Sequence, residues 1–477
     1  MIFIENADIL CSIFSDLVNT CFLTGSFPNS LKKAEVLPLY KKGDSTTLSN
    51  YRPISILPII SKIIEKCMKS RLTAFIDKYS IVNAGQFGFQ RGVSTQDAIL
   101  QITEQIYESL NKNSSAIGIF IDFSKAFDTI NRNILLKKLE KYGIRGLPLR
   151  LLASYLENRT QAVRVGNVLS PFKQIDMGLP QGSVLAPLLF ILYVNDLPCI
   201  SNLFSVTLFA DDATLFIEDR NYDSLIRSCN SGLELFLTWC WANRLSVNID
   251  KTHYLIFSNK KIIDFHPVIK LNNRIIEQKS SVSFLGMELD DKLKFNFHIN
   301  NICNKISKNT GIIYRLREYL PLSSLIGLYY SFIFPYLNYC HLVWGGACHS
   351  HIQSLEVMQR KCVRTMNGRN YMSHSNPLFS HNKILKISDI FKLNAAIFMF
   401  NNMFKFVHLL PVHSHETRFR SNFLPSFQRL SITQRQSLFS IIPSIWNSLP
   451  EDVKNSRSLY VLKRKCKNYL LSGYMEE

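Results

Sequence analysis

Asp211 and Asp212 lie side by side within the apolar segment 206–217, VTLFADDATLFI. Carboxylates in apolar surroundings need a cation or a proton nearby, because burying an unpaired charge is costly. The flanking residues predict two short strands joined by a tight turn, so that both side chains stand at the tip of a β-hairpin. For this motif alone, an acidic turn without chemistry is the alternative interpretation.

A third acid, Asp122, ends another apolar run over residues 116–122. If that run is a strand beside the hairpin, three carboxylates meet at the ends of neighbouring strands. Carboxylate oxygens are the ligands that Mg²⁺ prefers, and such a set suits two ions that assist phosphoryl transfer. The sequence therefore predicts a metal site built from Asp122, Asp211 and Asp212. For Asp122 taken alone, a turn residue at a strand end is the alternative.

Composition separates the acidic motif from a basic surface. The chain has 477 residues, 47% of them hydrophobic and 19% charged, with a net charge of +19. These values exclude a disordered chain, and the basic excess indicates a polyanionic partner, either nucleic acid or an anionic membrane. Residues 301–477 carry 22 Lys and Arg against 8 Asp and Glu, whereas residues 1–300 are nearly balanced.

Eleven cysteines without a CxxC pair indicate free thiols in an intracellular protein, and the N-terminus lacks the pattern of a signal peptide. The segment 325–347 has the length of a membrane span. Because Pro335, Asn338 and His341 interrupt it, we expect buried helices there instead. The Cys- and His-rich segment 340–351 fits no common zinc spacing.

The elements that must position the acids alternate irregularly between strands and helices up to about residue 295, after which only helices are predicted. This order lacks a βαβ repeat and predicts an α+β fold with an antiparallel sheet, followed by an all-α segment. We expect helices over 1–25, from 59, after an N-cap at Ser94 or Thr95, over 131–142 and over 222–244. Strands are expected over 116–122, 245–258 and 281–289, and a strand within 27–44 should end in a basic turn. Two hairpins are also predicted: one over 154–178 that turns at Gly166-Asn167, and one over 269–278 with an Asn-Asn turn. Asp128 is better interpreted as a helix N-cap than as a metal ligand.

Three segments, 121–130 (IDFSKAFDTI), 178–190 (GLPQGSVLAPLLF) and 209–212 (FADD), follow one another in the order and spacing of polymerase palm motifs. With NYRPIS upstream and NIDKT downstream, the chain resembles the reverse transcriptases of non-LTR (LINE-type, jockey-like) retrotransposons from about residue 25 to 370. The resemblance implies a right-hand polymerase fold with these regions: fingers 1–115, palm 116–290 with interleaved finger elements, thumb 291–370 and an all-α basic C-terminal region 371–477.

The resemblance also implies a nucleotide site. Lys41, with Lys42 as the alternative, and Arg52 would grip the triphosphate, since Arg matches phosphate oxygens as a fork and Lys acts as a point charge. Phe127 would clash with a ribose 2′-OH. Gln181, in the turn that Gly182 completes, would contact the incoming nucleotide. For each, an ordinary structural role is the alternative: a solvated loop, a core Phe or a helix-start turn.

Further implied roles concern the primer and the leaving group. Lys251 is the candidate proton donor to pyrophosphate, which makes the catalytic set Asp122, Asp211, Asp212 and Lys251. The turn Phe284, Leu285 and Gly286 resembles a primer grip, and the basic, aromatic segment 298–321 resembles a thumb suited to a template–primer backbone.

The implied function is RNA-directed DNA polymerisation from a DNA 3′-OH primer by two-metal-ion nucleotidyl transfer. Two Mg²⁺ ions, with Mn²⁺ as a substitute, would be the cofactor. RNA template, DNA primer or target, and dNTPs would be the partners, with no membrane and no obligate protein partner. A retroelement relic that only binds nucleic acid is the alternative, and a membrane-surface protein is a third hypothesis. Related proteins carry an N-terminal endonuclease-like domain, for which we expect no room before the polymerase.

Overall fold

The computed structural model describes residues 6–260, 267–409, 423–426 and 430–474. Its strands are concentrated before residue 291. They are β1 (Lys33–Tyr40), β2 (Tyr51–Ile56), β3 (Ser115–Asp122), β4 (Arg159–Val165), β5 (Val168–Leu169), β6 (Lys173–Ile175), β7 (Ser205–Phe209), β8 (Asp212–Asp219), β9 (His253–Phe257), β10 (Lys270–Leu271), β11 (Arg274–Ile275), β12 (Glu277–Gln278), β13 (Ser281–Phe284) and β14 (Met287–Asp290).

The central sheet has the strand order β12–β9–β3–β8–β7. Strand β3 pairs antiparallel with both β8 and β9, and its residues are buried up to the half-buried Asp122 at its end. Both faces of β3 are covered, which explains its unbroken apolar run. The expected antiparallel sheet is confirmed, except that the short edge strand β12 pairs with β9 in parallel.

A second sheet carries the basic turn near the N-terminus. Strands β1 and β2 form an antiparallel hairpin, and β1 pairs on its other side with β4 in parallel. Strands β4 and β5 turn at the predicted position, where Gly166 has a positive φ. A parallel pair within this sheet was not expected from the sequence.

Two further predictions concern the strands after residue 265. The Asn-Asn hairpin is confirmed as β10 and β11, with Asn272 and Asn273 both in the left-handed region. The single strand predicted over 281–289 is wrong: β13 and β14 form a hairpin that turns at Leu285 and Gly286. The strand predicted over 245–258 is shorter, because 249–251 form a single 3₁₀ turn before β9.

Helices surround the sheets and make up the rest of the described chain. They are α1 (Ala7–Thr24), α2 (Ile59–Lys78), α3 (Thr95–Asn111), α4 (Arg132–Lys141), α5 (Leu147–Leu156), α6 (Ala186–Val194), α7 (Tyr222–Ala242), α8 (Asn296–Leu316), α9 (Leu322–Phe332), α10 (Phe334–Asn338), α11 (His341–Trp344), α12 (His349–Met366), α13 (Asn376–His381), α14 (Ile387–Asn402), α15 (Ser431–Gln436), α16 (Leu438–Ser448), α17 (Glu451–Lys454) and α18 (Leu459–Ser472).

The predicted start of α3 agrees with the observed cap. Ser94 caps α3 and forms a capping box with Asp97, which satisfies two otherwise free amides. The helix expected over 1–25 is α1 in the described residues; residues 1–5 lie outside them. Among the described residues, no helix combines the length and apolarity that a membrane span requires.

The central sheet separates two hydrophobic cores. Ile117, Ile119 and Ile121 of β3 face the core shared with α2 and α7, whereas Ala116 and Phe120 face the other. This alternation follows from the two-residue period of a strand. The second core also contains buried residues of α8 to α14 and of α16 to α18, so the C-terminal helices share one core with the sheet that carries the acids.

Candidate functional site

The acidic hairpin is formed as the sequence predicted. Strands β7 and β8 are joined by the two-residue turn Ala210–Asp211, with Ala210 in the left-handed region. Asp212 is the first residue of β8 and pairs directly with Asp122, the last residue of β3. Directly opposite residues of antiparallel strands project from the same face with Cβ atoms about 5 Å apart. The three carboxylates therefore meet at one end of the central sheet.

Negative charge is in excess at this end of the sheet. Burial, with the neighbouring carboxylates of Asp211 and Asp122, raises the pKa of Asp212 to about 6, although the side chain still reaches solvent. The Lys251 ammonium lies 3.5 Å from Asp122 Oδ2. Both partners of that pair are well exposed, so the pair contributes little to stability. One lysine does not neutralise three acids.

The segment before α3 supports the hairpin from behind. Phe87 N donates to Leu208 O at 2.7 Å, and Leu208 N donates to Gly85 O at the same distance. A Cβ on Gly88 would lie 2.2 Å from the amide nitrogen of Ala210. Only glycine permits this approach, so residues 85–88 fix the position of the acidic turn.

The donor chemistry fits divalent cations. Mg²⁺ is usually bound through one or two carboxylates together with substrate phosphates, and not in an all-protein cage. Within the described residues, no group of three His, Cys, Asp or Glu side chains is already arranged to hold a metal ion. The raised pKa of Asp212 marks charge that a cation would neutralise. Asp122, Asp211 and Asp212 are the residues that would hold the metal, and this assignment stays a prediction.

The β1–β2 hairpin presents the two predicted phosphate-gripping residues. Lys41 N donates to Asn50 O, and Arg52 pairs with Leu39. Because Leu39 and Lys41 are two residues apart, this register puts Lys41 and Arg52 on the same face, and both are exposed. The charge of Lys41 also acts on the Asp128 carboxyl, whereas Lys42 has no such contact. These observations favour Lys41 over Lys42.

The turn that contains Gln181 is attached to the β1–β2 hairpin. Ser55 N donates to Gln181 O at 2.7 Å. A Cβ on Gly182 would lie 2.6 Å from Ser55 O, and Gly182 has a φ of 116°. Both the close contact and the backbone conformation therefore exclude a side chain at this position. The buried Arg132 donates to three carbonyls of the approach to this turn, those of Ile175, Met177 and Gly178. The turn is therefore rigidly held.

The N-cap interpretation of Asp128 is wrong. Asn131 caps α4, and the Asp128 carboxylate instead accepts a 2.8 Å hydrogen bond from Gln181 Nε2. Burial raises the pKa of Asp128. Because a carboxylate only accepts hydrogen bonds, it fixes which end of the Gln181 amide faces it. Asp128 thus orients the residue predicted to contact the nucleotide.

Phe127 precedes Asp128 in the chain and lies next to the segment that leads into the Gln181 turn. Its ring stacks on Phe190 of α6, with centroids 4.5 Å apart and planes at 20°, and its carbonyl accepts from Leu179 N. The side chain is half-buried, so one part of the ring remains accessible. Stacked rings resist rotation, which is what a steric barrier against a ribose hydroxyl requires.

Glu65 of α2 is a residue that the sequence analysis missed. Its side chain is fully buried and accepts from Val184 N at 2.6 Å and Leu185 N at 3.3 Å. Ser61 donates a third hydrogen bond at 2.9 Å. Glu65 therefore caps the first turn of α6, directly after the Gln181 turn. A single acid on the apolar face of α2 was the signal that could have revealed it.

The predicted primer grip is a turn with a buried anchor. Phe284 is buried and packs on Phe120 with ring centroids 5.4 Å apart. Leu285 and Gly286 have positive φ values, and Tyr339 Oη donates to Leu285 O. Because Phe284 belongs to the core, Leu285 and Gly286 are the residues of this turn that remain to contact a primer.

The Cys- and His-rich segment 340–351 is divided between core and surface. His341 is buried against Trp344 and Phe391, and burial lowers its pKa to about 3. Cys348 and His349 are exposed. This segment serves packing at one end and faces solvent at the other.

Comparisons with known proteins identify the family of this chain. A family model described as reverse transcriptase (RNA-dependent DNA polymerase) matches residues 39–289, more than half of the chain. The match includes every predicted catalytic, nucleotide-binding and primer-grip residue. The chain belongs to the reverse transcriptase family.

Its relatives are proteins of mobile elements. It is 28% identical over 385 residues to the RNA-directed DNA polymerase from mobile element jockey of Drosophila melanogaster, covering 78% of this chain and 42% of that protein. It is 29% identical over 358 residues to the probable RNA-directed DNA polymerase from transposon BS of the same species, covering 71% and 39%. The resemblance to non-LTR retrotransposon reverse transcriptases is confirmed. The chain spans about two fifths of these curated relatives.

A solved structure of apo telomerase from Candida tropicalis aligns with 80% of this chain and 67% of its own, at 10% identity and a TM-score of 0.44. Family membership and the observed elements agree with the expected fold class, a right-hand polymerase fold followed by a helical C-terminal region. The boundaries at residues 115, 290 and 370 stay predictions.

Proposed function

We propose that this chain is an RNA-directed DNA polymerase that extends a DNA 3′-OH primer on an RNA template. The observation that carries the proposal is the convergence of Asp122, Asp211 and Asp212 at one end of the central sheet, beside the Gln181 turn and the β1–β2 hairpin. Polymerases need this combination, because phosphoryl transfer depends on positioning and on neutralising phosphate charge.

When bound by the three carboxylates, two divalent ions, Mg²⁺ or Mn²⁺, would supply charge neutralisation and acidify the primer hydroxyl. Lys41 and Arg52 bind the triphosphate from the same hairpin face. Gln181, oriented by Asp128, contacts the nucleotide, and Phe127 excludes a ribose 2′-OH. Lys251 is suited to donate a proton to the pyrophosphate, and its contact with Asp122 keeps it at the site.

The partners of this reaction are an RNA template, a DNA primer or target, and dNTPs. The basic residues of α8 face solvent beyond the sheet and would contact the template–primer backbone; they include Lys305, Lys308 and Arg315. Such a protein would act within an intracellular ribonucleoprotein, in the nucleus or the cytoplasm.

The test is primer extension on poly(rA)/oligo(dT) with Mg²⁺, comparing the parent with Asp211→Asn. We expect the parent to incorporate dTTP and the variant to lose at least about 10²-fold in rate, because an essential charge is removed from the transition state. RNA affinity, measured in parallel, should change little. If a folded, RNA-binding parent incorporates nothing, the chain is a nucleic-acid-binding relic. If Asp211→Asn extends at the parent rate, the metal assignment is wrong.

A further inference from the structure

The last helix, α18, is the most basic element of the described chain. It contains Lys463, Arg464, Lys465 and Lys467 and no acid. Its apolar face, which includes Leu462 and Cys466, is buried in the core shared with the central sheet. The opposite face points to solvent, so its charges are presented outward on a fixed support.

Most of these charges have no internal partner. Lys465 pairs with Asp452 at 3.6 Å, but within the described residues no carboxylate pairs with Lys463, Arg464 or Lys467. Lys467 is half-buried, and burial lowers its pKa. Among the described residues its ammonium contacts Tyr330, lying 3.4 Å from the hydroxyl and 5.8 Å from the ring centroid. A partly desolvated cation without a counter-charge is unfavourable unless an anion binds it.

In the basic helix α12, by contrast, arginine side chains have partners within the protein. There Arg360 pairs with Glu356 at 2.8 Å, and Arg364 donates to Ser373 O at 2.7 Å. These guanidinium groups serve the fold. The unpaired groups of α18 have no such structural role. The two helices therefore differ in the pairing of their basic side chains as well as in composition.

Aromatic side chains accompany the charges of α18. Tyr460 is 73% exposed and lies one turn before Lys463 and Arg464, on the same side of the helix. Tyr469 is also exposed. An exposed ring beside unpaired basic residues suits single strands, whose bases stack on aromatic faces while the phosphates meet the cations.

A membrane partner fits less well. Interfacial helices insert their apolar face into the lipid, whereas the apolar face of α18 is already covered by protein. The contact of Lys467 with Tyr330 of α9 further joins this surface to the predicted thumb. The surface is thus continuous with the part of the molecule expected to lie along nucleic acid.

We propose that the solvent face of α18, formed by Tyr460, Lys463, Arg464 and Lys467, binds single-stranded nucleic acid outside the polymerase cleft. This surface would hold a strand beyond the duplex that is being copied. It is separate from the acidic hairpin and does not require polymerase activity.

The experiment measures anisotropy of fluorescein-labelled oligo(rU) at several salt concentrations, with the cleft filled by an unlabelled hairpin primer–template. The test variant carries Lys463→Gln, Arg464→Gln and Lys467→Gln. A matched control removes the same charge from exposed positions on and after α4, with Lys137→Gln, Lys141→Gln and Arg145→Gln. We expect only the test variant to bind weakly, with a salt slope smaller by about 2, since each lost phosphate contact in a single strand removes roughly 0.7.

A second variant, Tyr460→Ala, keeps all charges. We expect it to weaken binding about five-fold or more without changing the salt slope, because stacking is insensitive to salt. Labelled oligo(dT) in a parallel arm distinguishes RNA from DNA as the strand. Thermal melting of all variants controls for folding.

The proposal is overturned if the test variant binds oligo(rU) and oligo(dT) like the control. It is also overturned if the parent binds vesicles of phosphatidylcholine and phosphatidylserine through these residues while strand binding is unchanged. Extension of the hairpin by the same preparations separates the two proposals: a parent that binds oligo(rU) through α18 but does not extend the primer refutes only the polymerase function.

Discussion

The Gln181 turn and the C-terminal helices are both attached to the rest of the molecule through a glutamate that accepts hydrogen bonds at the start of a helix. Glu65 of α2 accepts hydrogen bonds from Val184 N and Leu185 N at the start of α6. Glu104 of α3 accepts from Ser437 Oγ at 2.9 Å and Leu438 N at 2.8 Å at the start of α16. In each case a mostly buried glutamate caps a helix that is distant in sequence, which also favours its negative charge.

The attachment through Glu104 is sensitive to pH. Burial raises the pKa of Glu104 to about 7, so this group changes charge near neutrality. Tyr107 Oη strengthens the same attachment with a 2.8 Å hydrogen bond to Gln436. The C-terminal helices are therefore joined to α3 through a group that can be neutralised.

Removal of the Glu65 cap should have the largest effect on stability. Glu65→Ala leaves two amides without an acceptor, each costing roughly 1–3 kcal/mol. We expect a loss of about 2–4 kcal/mol in urea unfolding and a higher KM for dTTP, since the Gln181 turn is released. Glu65→Gln keeps one acceptor oxygen and should lose less. If the parent and Glu65→Ala have the same free energy of unfolding, the Glu65 hydrogen bonds do not attach the Gln181 turn as we infer.

The Glu104 attachment should weaken as pH rises. A carboxyl whose pKa is higher in the folded protein than in the unfolded chain stabilises the fold fully below about pH 4.5, and this contribution is lost as pH rises to about 7. We expect the parent to lose on the order of 3 kcal/mol more across this window than Glu104→Gln. Asp212 also titrates there, but it is common to both proteins.

The matched control for this measurement is Glu234→Gln, which changes an exposed acid on α7, away from Glu104. Its unfolding free energy should follow the parent's pH dependence. If Glu104→Gln does the same, the attachment through Glu104 does not depend on pH as we infer.

On the nucleotide side, Phe127→Val should relax sugar discrimination. The smaller side chain leaves space for a 2′-OH, and we expect the ratio of rNTP to dNTP incorporation to rise roughly ten-fold or more. Primer extension with each nucleotide type gives the ratio. Phe404→Val, which changes an exposed ring in the C-terminal part, is the control. An unchanged ratio would leave Phe127 as a core residue stacked on Phe190.

The smallest effect is expected for Asp128→Asn. Asparagine can donate as well as accept, so the Gln181 amide is no longer held in one orientation. We expect KM for dNTP to rise about two- to ten-fold, as for the loss of one hydrogen bond, with kcat less affected. Asp176→Asn removes a nearby exposed charge and serves as control. A fall in kcat at constant KM would contradict a positioning role.

Much of the candidate site was predictable because its signals are local. The hairpin around Asp211 is specified by apolar residues on both sides of a two-residue turn, and Ser94 and Asn272 mark a helix start and a turn by their own chemistry. The strand predicted over 281–289 failed for the same reason. Leu285 and Gly286 continue an apolar pattern, so the strand prediction ran through the turn that the resemblance to a primer grip implied and that their left-handed conformations show.

The sequence by itself determined which residues could perform the chemistry: three acids at strand ends, a glycine-rich turn and a basic hairpin. Only the tertiary structure decided how they are held. Gln181 and Asp128 are 53 residues apart, Glu65 and Val184 are 119 apart, and Glu104 and Leu438 are 334 apart. A hydrogen bond between distant residues leaves no periodic trace in the chain, because its partner is selected by packing and not by neighbouring sequence.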